Sequence, residues 1–290
     1  MRVLVLGASG QIGRFLVPQL TAAGHQVLAA SRSPPPVRSG AGVQWIGIDL
    51  PHPPAAPVAC DAVISAGPLT HFAAWLSHQP LRGVARVVAF SSTSAEAKAT
   101  SADHSERAVA AALREAEALV QDWAQARSAP CFVLRPTLIY GAGLDHNLSR
   151  IAALARRFGV FVLPRGAVGL RQPVHAGDLA IAAVNALGAP AAAAGCHVLA
   201  GGETLAYREM VRRVLAAQAP PAWLLAVPSG LLRLALGTAR ALGWLRGANA
   251  QMIARMAQDL CFDDGPARQL LGHRPRAFTP TAADFTPPGR

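Results

Sequence analysis

The chain opens with a short apolar run, Val3–Leu6, that breaks directly into Gly7-Ala-Ser-Gly10-Gln-Ile-Gly13. Apolar residues then recur at helical spacing (Ile12, Phe15, Leu16, Leu20) until Gly24. Each glycine of such a trio has a separate task. The first allows a tight turn, the second lets the backbone approach a pyrophosphate, and the third lets helix pack on strand. The anion then rests on the helix N-terminus, where free N–H groups and the macrodipole favour negative charge. A second strand pattern, Gln26–Ala30, completes a strand–turn–helix–strand unit. That context points to dinucleotide binding and sets aside an ordinary glycine-rich turn. The candidate contacts are Gly7, Ser9, Gly10, Gln11, Ile12 and Gly13.

The end of the second strand selects the dinucleotide. An acid there binds the ribose 2′-hydroxyl of NAD, whereas arginine suits the 2′-phosphate of NADP. The sequence reads Ala30-Ser31-Arg32-Ser33, with no carboxylate before Asp49. Arg32 can pair with phosphate in bidentate fashion, and Ser31 or Ser33 can donate to it. NADP is the expected cofactor and NAD the alternative, in which Arg32 is a plain surface residue. Asp49 and Leu50, after the third strand pattern, are candidates for contact near the adenine.

Further along, strand-like runs at Val43–Ile48, Ala62–Ser65, Val84–Phe90, Cys131–Leu134 and Cys196–Leu199 alternate with helix-like stretches. The helical stretches are Leu69–His78, His104–Arg127, Asn147–Phe158 and Gly177–Leu187. Such alternation predicts an α/β, Rossmann-type doubly wound parallel sheet covered on both faces. The region from Tyr207 reads as mostly helical. The expected division is a dinucleotide-binding domain of residues 1–140 and 174–200. A smaller, mostly helical substrate-binding region takes residues 141–173 and 201–290.

Composition narrows the partners. Net charge is +11, and Lys98 is the one lysine, so the positive charge is almost all arginine. The arginines form no stripe, which argues against nucleic acid and leaves an anionic small molecule. Cys60, Cys131, Cys196 and Cys261 are widely spaced and read as buried thiols in a reducing, cytoplasmic setting. The start does not read as a signal peptide. The longest apolar region, Trp223–Leu245, is broken by Pro228, Arg233 and Arg240. It does not read as a membrane span. A core helix with snorkelling arginines is the expectation for it and peripheral membrane contact the alternative. An oligomer is compatible with all of this.

In order along the chain, GASGQIG, the IDL at residues 48–50, FSSTSA, LRPTLIYG, LRQPVHAGDLA and DDGPARQLLGHRP resemble the extended short-chain dehydrogenase/reductase superfamily. The nearest flavour is its NAD-dependent epimerase/dehydratase group, which acts mainly on nucleotide sugars. The resemblance implies that Thr93 contacts substrate near the nicotinamide, with Ser91 and Ser92 beside it. Pro136 and Tyr140 would line the nicotinamide side, Arg171 would contact a substrate diphosphate, and Asn147 would lie near the substrate. His175 and Asp178 fall in a structural segment.

The chain departs from the family at the reacting centre. The family's Tyr-x-x-x-Lys pair lies on the long helix, and the spacing through REAEALV puts Val109 and Leu113 at those two positions. The two tyrosines, Tyr140 and Tyr207, have no lysine four residues on. Tyr140, Thr93 and His104 remain as alternative proton donors. Two readings follow. One is an atypical oxidoreductase or epimerase on a nucleotide-sugar-like or other anionic substrate, and the other a non-catalytic NADP(H)-binding sensor or assembly subunit.

Overall fold

The computed structural model describes residues 1–34, 42–50, 52, 56–78, 80–228, 230 and 254–287. The chain divides into two compact units, residues 1–137, 174–200 and 262–275, and residues 138–173, 201–261 and 276–290. In chain order the first contains β1 (Arg2–Leu6), α1 (Gly13–Ala22), β2 (Gln26–Ser31), β3 (Val43–Gly47), β4 (Ala62–Ser65), α2 (Leu69–Leu76) and β5 (Arg86–Phe90). It continues with α3 (Ser94–Ala97), α4 (His104–Gln125) and β6 (Cys131–Pro136). After α5 (Leu148–Phe158) of the second unit come α6 (Ala176–Gly188) and β7 (Gly195–Leu199).

These seven strands form one sheet in the order β7-β6-β5-β4-β1-β2-β3, with every neighbouring pair parallel. The chain moves outward from β1 through β2 and β3, then crosses back to lay β4 on the other side of β1. Strand order therefore reverses between β1 and β4, where parallel sheets open a ligand crevice at their carboxyl ends. Register sets Leu6 opposite both Ala30 and Ser65, so the turns after β1, β2 and β4 emerge at one edge.

Apolar strands of this kind are stable only when both faces are covered. Phe72, Trp75 and Leu76 from α2, with Val120, Trp123 and Ala124 from α4, bury Leu4, Leu6, Val63, Val87 and Val133 of the sheet. Burial of each such side chain contributes roughly 1.5–3 kcal/mol. α1 and α6 are tied together by Gln19 Nε2 donating to the Gly177 carbonyl at 3.3 Å. α4 starts where Asp103 caps it by accepting from the Ser105 N–H at 2.8 Å.

In the second unit α5 ends at Gly159, which turns left-handed at φ 67°. A strand at Val160–Pro164 follows and pairs in parallel with Trp223–Val227. With α7 (Tyr207–Ala216) they enclose a core of Leu148, Ile151, Met210, Val211, Phe278 and Phe285. The expectation of a mostly helical tail is thus corrected at Trp223–Val227. That run is a strand because Val160–Pro164 offers it a pairing partner. The proline-rich link at 35–41 and the stretch bearing Arg233, Arg240 and Arg246 lie outside the described residues. α8 (Gly265–Leu270), from the closing motif, belongs to the first unit. Cys60 and Cys131 are buried as expected, but Cys196 and Cys261 are exposed. Cys196 lies in the edge strand β7 and Cys261 just after the single bridge of Leu260 to Arg171. Among the described residues no helix is long and apolar enough to cross a membrane.

Candidate dinucleotide site

At the carboxyl end of β1 the three glycines are enforced by their surroundings. Gly7 sits at φ 76°, and a Cβ there would meet the Gly67 nitrogen at 2.9 Å. A Cβ on Gly13 would lie 2.3 Å from the Gly7 oxygen and 2.5 Å from that of Ala8, so α1 can press on the turn only through glycine. The turn is closed by the Gly10 N–H donating to the Gly7 carbonyl at 2.9 Å. α1 has no side-chain cap and no acid in its first turn. Its N-terminal partial charge is therefore left for an anion, and the cradle fits a dinucleotide pyrophosphate. Ala66 and Gly67, after β4, form the opposite wall of this turn and escaped the sequence reading. A glycine just past an apolar strand was the signal available.

The end of β2 meets the same turn. Ser9 and Ser31 share a hydrogen bond between their hydroxyls at 2.8 Å, and Ser31 Oγ also accepts from the Ser33 N–H at 3.3 Å. Ser31 thereby clasps the loop to the end of the strand. Arg32 follows it and is exposed. Its guanidinium has no hydrogen-bond or ionic partner among the described residues. A second guanidinium, Arg14, is held at the loop by Nε donating to the Ser9 carbonyl at 3.0 Å. Asp49 is exposed and lies 3.2 Å from His52 Nδ1, while Leu50 packs at the margin of the sheet core.

Beyond β5 the three hydroxyls Ser91, Ser92 and Thr93 have different fates. Ser91 donates to Glu117 Oε1 at 2.5 Å. Thr93 is buried and donates to the Pro136 carbonyl at 3.2 Å. In this structure its hydroxyl proton is directed at that carbonyl. Ser92 Oγ accepts from the Ser94 N–H at 3.1 Å and keeps its own proton for another acceptor.

Glu117 is buried on α4 and bound in two places by Arg135, from Nε at 2.9 Å and from a terminal nitrogen at 2.5 Å. Arg135 also reaches Glu96 at 2.5 Å. Hydrogen bonding to Glu117, chiefly, lifts the Arg135 pKa above its ordinary value. This Ser91–Glu117–Arg135–Glu96 network fixes the segment after β5 onto β6 and α4. The sequence reading missed it, although an arginine inside the apolar strand FVLRP and a glutamate in the buried stripe of α4 were both visible.

On α4, Val109 is 44% exposed and Leu113 packs against the core. His104 is exposed at the first turn of that helix. His175 caps α6, its Nδ1 accepting from the Gly177 N–H at 3.0 Å, in keeping with a structural segment.

Tyr140, Asn147 and Arg171 belong to the second unit. Tyr140 is 2% exposed and sits edge-on to Phe278 at 4.9 Å in the core of this unit. Asn147 is exposed immediately before α5. Arg171 is buried, and its guanidinium donates to the carbonyls of Leu170 (2.7 Å), Gln258 (2.6 Å) and Arg255 (2.6 Å). It also lies over the Tyr207 ring at 5.2 Å. Burial lowers its pKa, with Tyr207 opposing. The guanidinium cross-links the unit's own backbone, and Asp259 close by accepts from the Leu170 N–H at 2.7 Å.

Comparison with known proteins agrees with this geometry. Residues 7–142 match a family model described as NAD(P)H-binding. The chain is 30% identical over 259 residues to 2-alkyl-3-oxoalkanoate reductase of Stenotrophomonas maltophilia (strain K279a), covering 76% of this chain and 77% of that protein. It is 28% identical over 178 residues to UDP-glucose 4-epimerase of Vibrio cholerae, covering 59% and 51%. A crystal structure of UDP-galactose 4-epimerase superposes with a TM-score of 0.68 at 17% identity, covering 98% of this chain and 96% of that one. The chain belongs to the extended short-chain dehydrogenase/reductase superfamily, in its NAD-dependent epimerase/dehydratase group.

Proposed function

We propose that the protein is an NADP(H)-dependent oxidoreductase acting on the carbonyl or carbinol carbon of a small anionic substrate. The single observation that carries this is the loop after β1 standing beside Arg32. A cradle for pyrophosphate, joined to the end of β2 through the Ser9–Ser31 bond, is followed there by a guanidinium unpaired among the described residues, where an NAD-binding chain would carry an acid. A bound nicotinamide supplies the hydride. Ser92, whose proton is uncommitted, orients the substrate oxygen. The substrate class is an oxoacid of the kind named for the Stenotrophomonas relative, or a nucleotide sugar as named for the epimerases.

Val109 and Leu113 offer no proton, so turnover is slow. Acid–base help is worth about 10²–10⁴ in rate. NADPH oxidation across a panel of 3-oxoacids and nucleotide sugars is the test. Slow oxidation, abolished in Ser92→Ala with NADPH affinity intact, is the expected result. Turnover at ordinary enzyme rates contradicts the missing acid–base pair.

A second reading, a cofactor-binding subunit without chemistry, is favoured by the commitment of Thr93, Tyr140 and Arg171 to internal bonds and packing. NADPH binding with no oxidation of any panel member would select it.

A further inference from the structure

The two-stranded ribbon of the second unit has an anomaly that cofactor binding does not use. Register pairs Val160 with Trp223 and Val162 with Leu225, so these four side chains share one face. Phe161, Leu163 and Leu224 point the other way into the unit's core. A two-stranded ribbon with one buried face ordinarily presents polar residues on the other. Here the outer face is apolar. Trp223 is 80% exposed and Leu225 52%, Val160 and Val162 are exposed, and Phe158 at the end of α5 is 61% exposed.

Cations rim this face. The Arg157 guanidinium lies 5.3 Å from the Phe158 ring centre. Arg165, exposed just after the first strand, extends the ribbon by donating its N–H to the Val227 carbonyl at 2.8 Å. The whole unit is charged in the same sense. Its described residues hold ten arginines against Asp145, Glu203, Glu209, Asp259 and Asp284, a net +5. The described residues of the first unit nearly balance twelve cations with eleven acids.

We propose that this ribbon face docks on an anionic lipid surface. Tryptophan and aliphatic side chains enter the boundary between headgroups and acyl chains, while arginines at the rim meet lipid phosphates. A second copy of the chain fits poorly, because docking face to face would set one unit's net positive charge, +5 on its described residues, against another's. Nucleic acid would use the cations but not the valines and leucine.

The test is sedimentation of the full chain with phosphatidylcholine vesicles, plain or enriched in phosphatidylglycerol. Binding to the enriched vesicles alone is expected, weakening as salt rises. The double variant Trp223→Ser with Leu225→Ser should lose at least about tenfold in affinity, with melting temperature and NADPH binding unchanged. Arg157→Gln with Arg165→Gln should lose about fivefold for each arginine. No binding, equal binding to both vesicle types, or binding indifferent to the Trp223 and Leu225 changes overturns the proposal. So does a dimer in solution that the same double variant dissolves, since the face then belongs to a second copy. None of these outcomes bears on cofactor binding, so the two readings fail separately.

Discussion

In the first unit the half-buried Arg135 guanidinium is bonded to carboxylates, whereas in the second unit that of Arg171 is bonded to three backbone carbonyls. Both are arginines inside family-like motifs, LRPTLIYG and LRQPVHAGDLA. The difference is local and does not follow from each unit's charge: in the first unit Arg14 and Arg86 donate to backbone carbonyls, and in the second Arg213 is bonded to Glu203 and Glu209. A guanidinium held by three carbonyls, as Arg171 is, is weak evidence for an anionic substrate.

This contrast can be broken by substitution. Glu117→Ala strands the Arg135 charge in a mostly buried site, and removing one partner of such a pair costs about 4 kcal/mol. A chemical-denaturation midpoint unchanged by Glu117→Ala would show that the network is ornamental. Arg171→Met should cost less, about 3 kcal/mol, because it leaves neutral carbonyls without donors. It should leave NADPH affinity alone. Loss of affinity for nucleotide diphosphates at unchanged stability would restore Arg171 to a substrate role.

Acid should separate the units more gently. Burial, chiefly, lowers the pKa of His273 in the first unit from 6.5, where its Nε2 lies 2.8 Å from the Ala200 carbonyl. A histidine kept neutral by folding contributes stability above pH 6.5 that is lost as pH falls toward its folded value. In the second unit the hydrogen bond from Arg212, chiefly, pulls Glu209 from 4.5 to about 2, with Arg213 helping. That contribution is intact above pH 4.5 and lost between there and about 2. Hydrogen exchange, corrected for its intrinsic pH dependence, should quicken around His273 before it quickens around Glu209. The reverse order would contradict the assignment.

The same contrast governs how much the sequence disclosed. β1, the glycine turn, α1 and β2 were legible because their chemistry is local: period-two and helical spacing around glycines whose roles are backbone contacts within a few residues. The second unit depends on distant partners. Trp223–Val227 is an apolar run that periodicity cannot assign, and it is a strand only because Val160–Pro164 pairs with it. Arg171 owes its place to carbonyls more than eighty residues away. Ser31 was assigned to phosphate because nothing in the sequence says that Ser9 lies within hydrogen-bonding distance of it. Tyr140 was read as lining a cleft, and its burial against Phe278 is likewise a matter of tertiary packing.

The account rests on Arg32 standing beside a pyrophosphate cradle with no acid to bind a ribose hydroxyl. Titration calorimetry of NADPH and NADH against wild type and Arg32→Ala tests that directly. A charge-assisted bidentate contact is worth about 1.5–3 kcal/mol, roughly tenfold or more in affinity. The predicted result is tighter binding of NADPH in the wild type by at least that factor, with the gap closed in Arg32→Ala and NADH affinity unmoved. Equal affinities in the wild type, or a preference for NADH, would contradict the account.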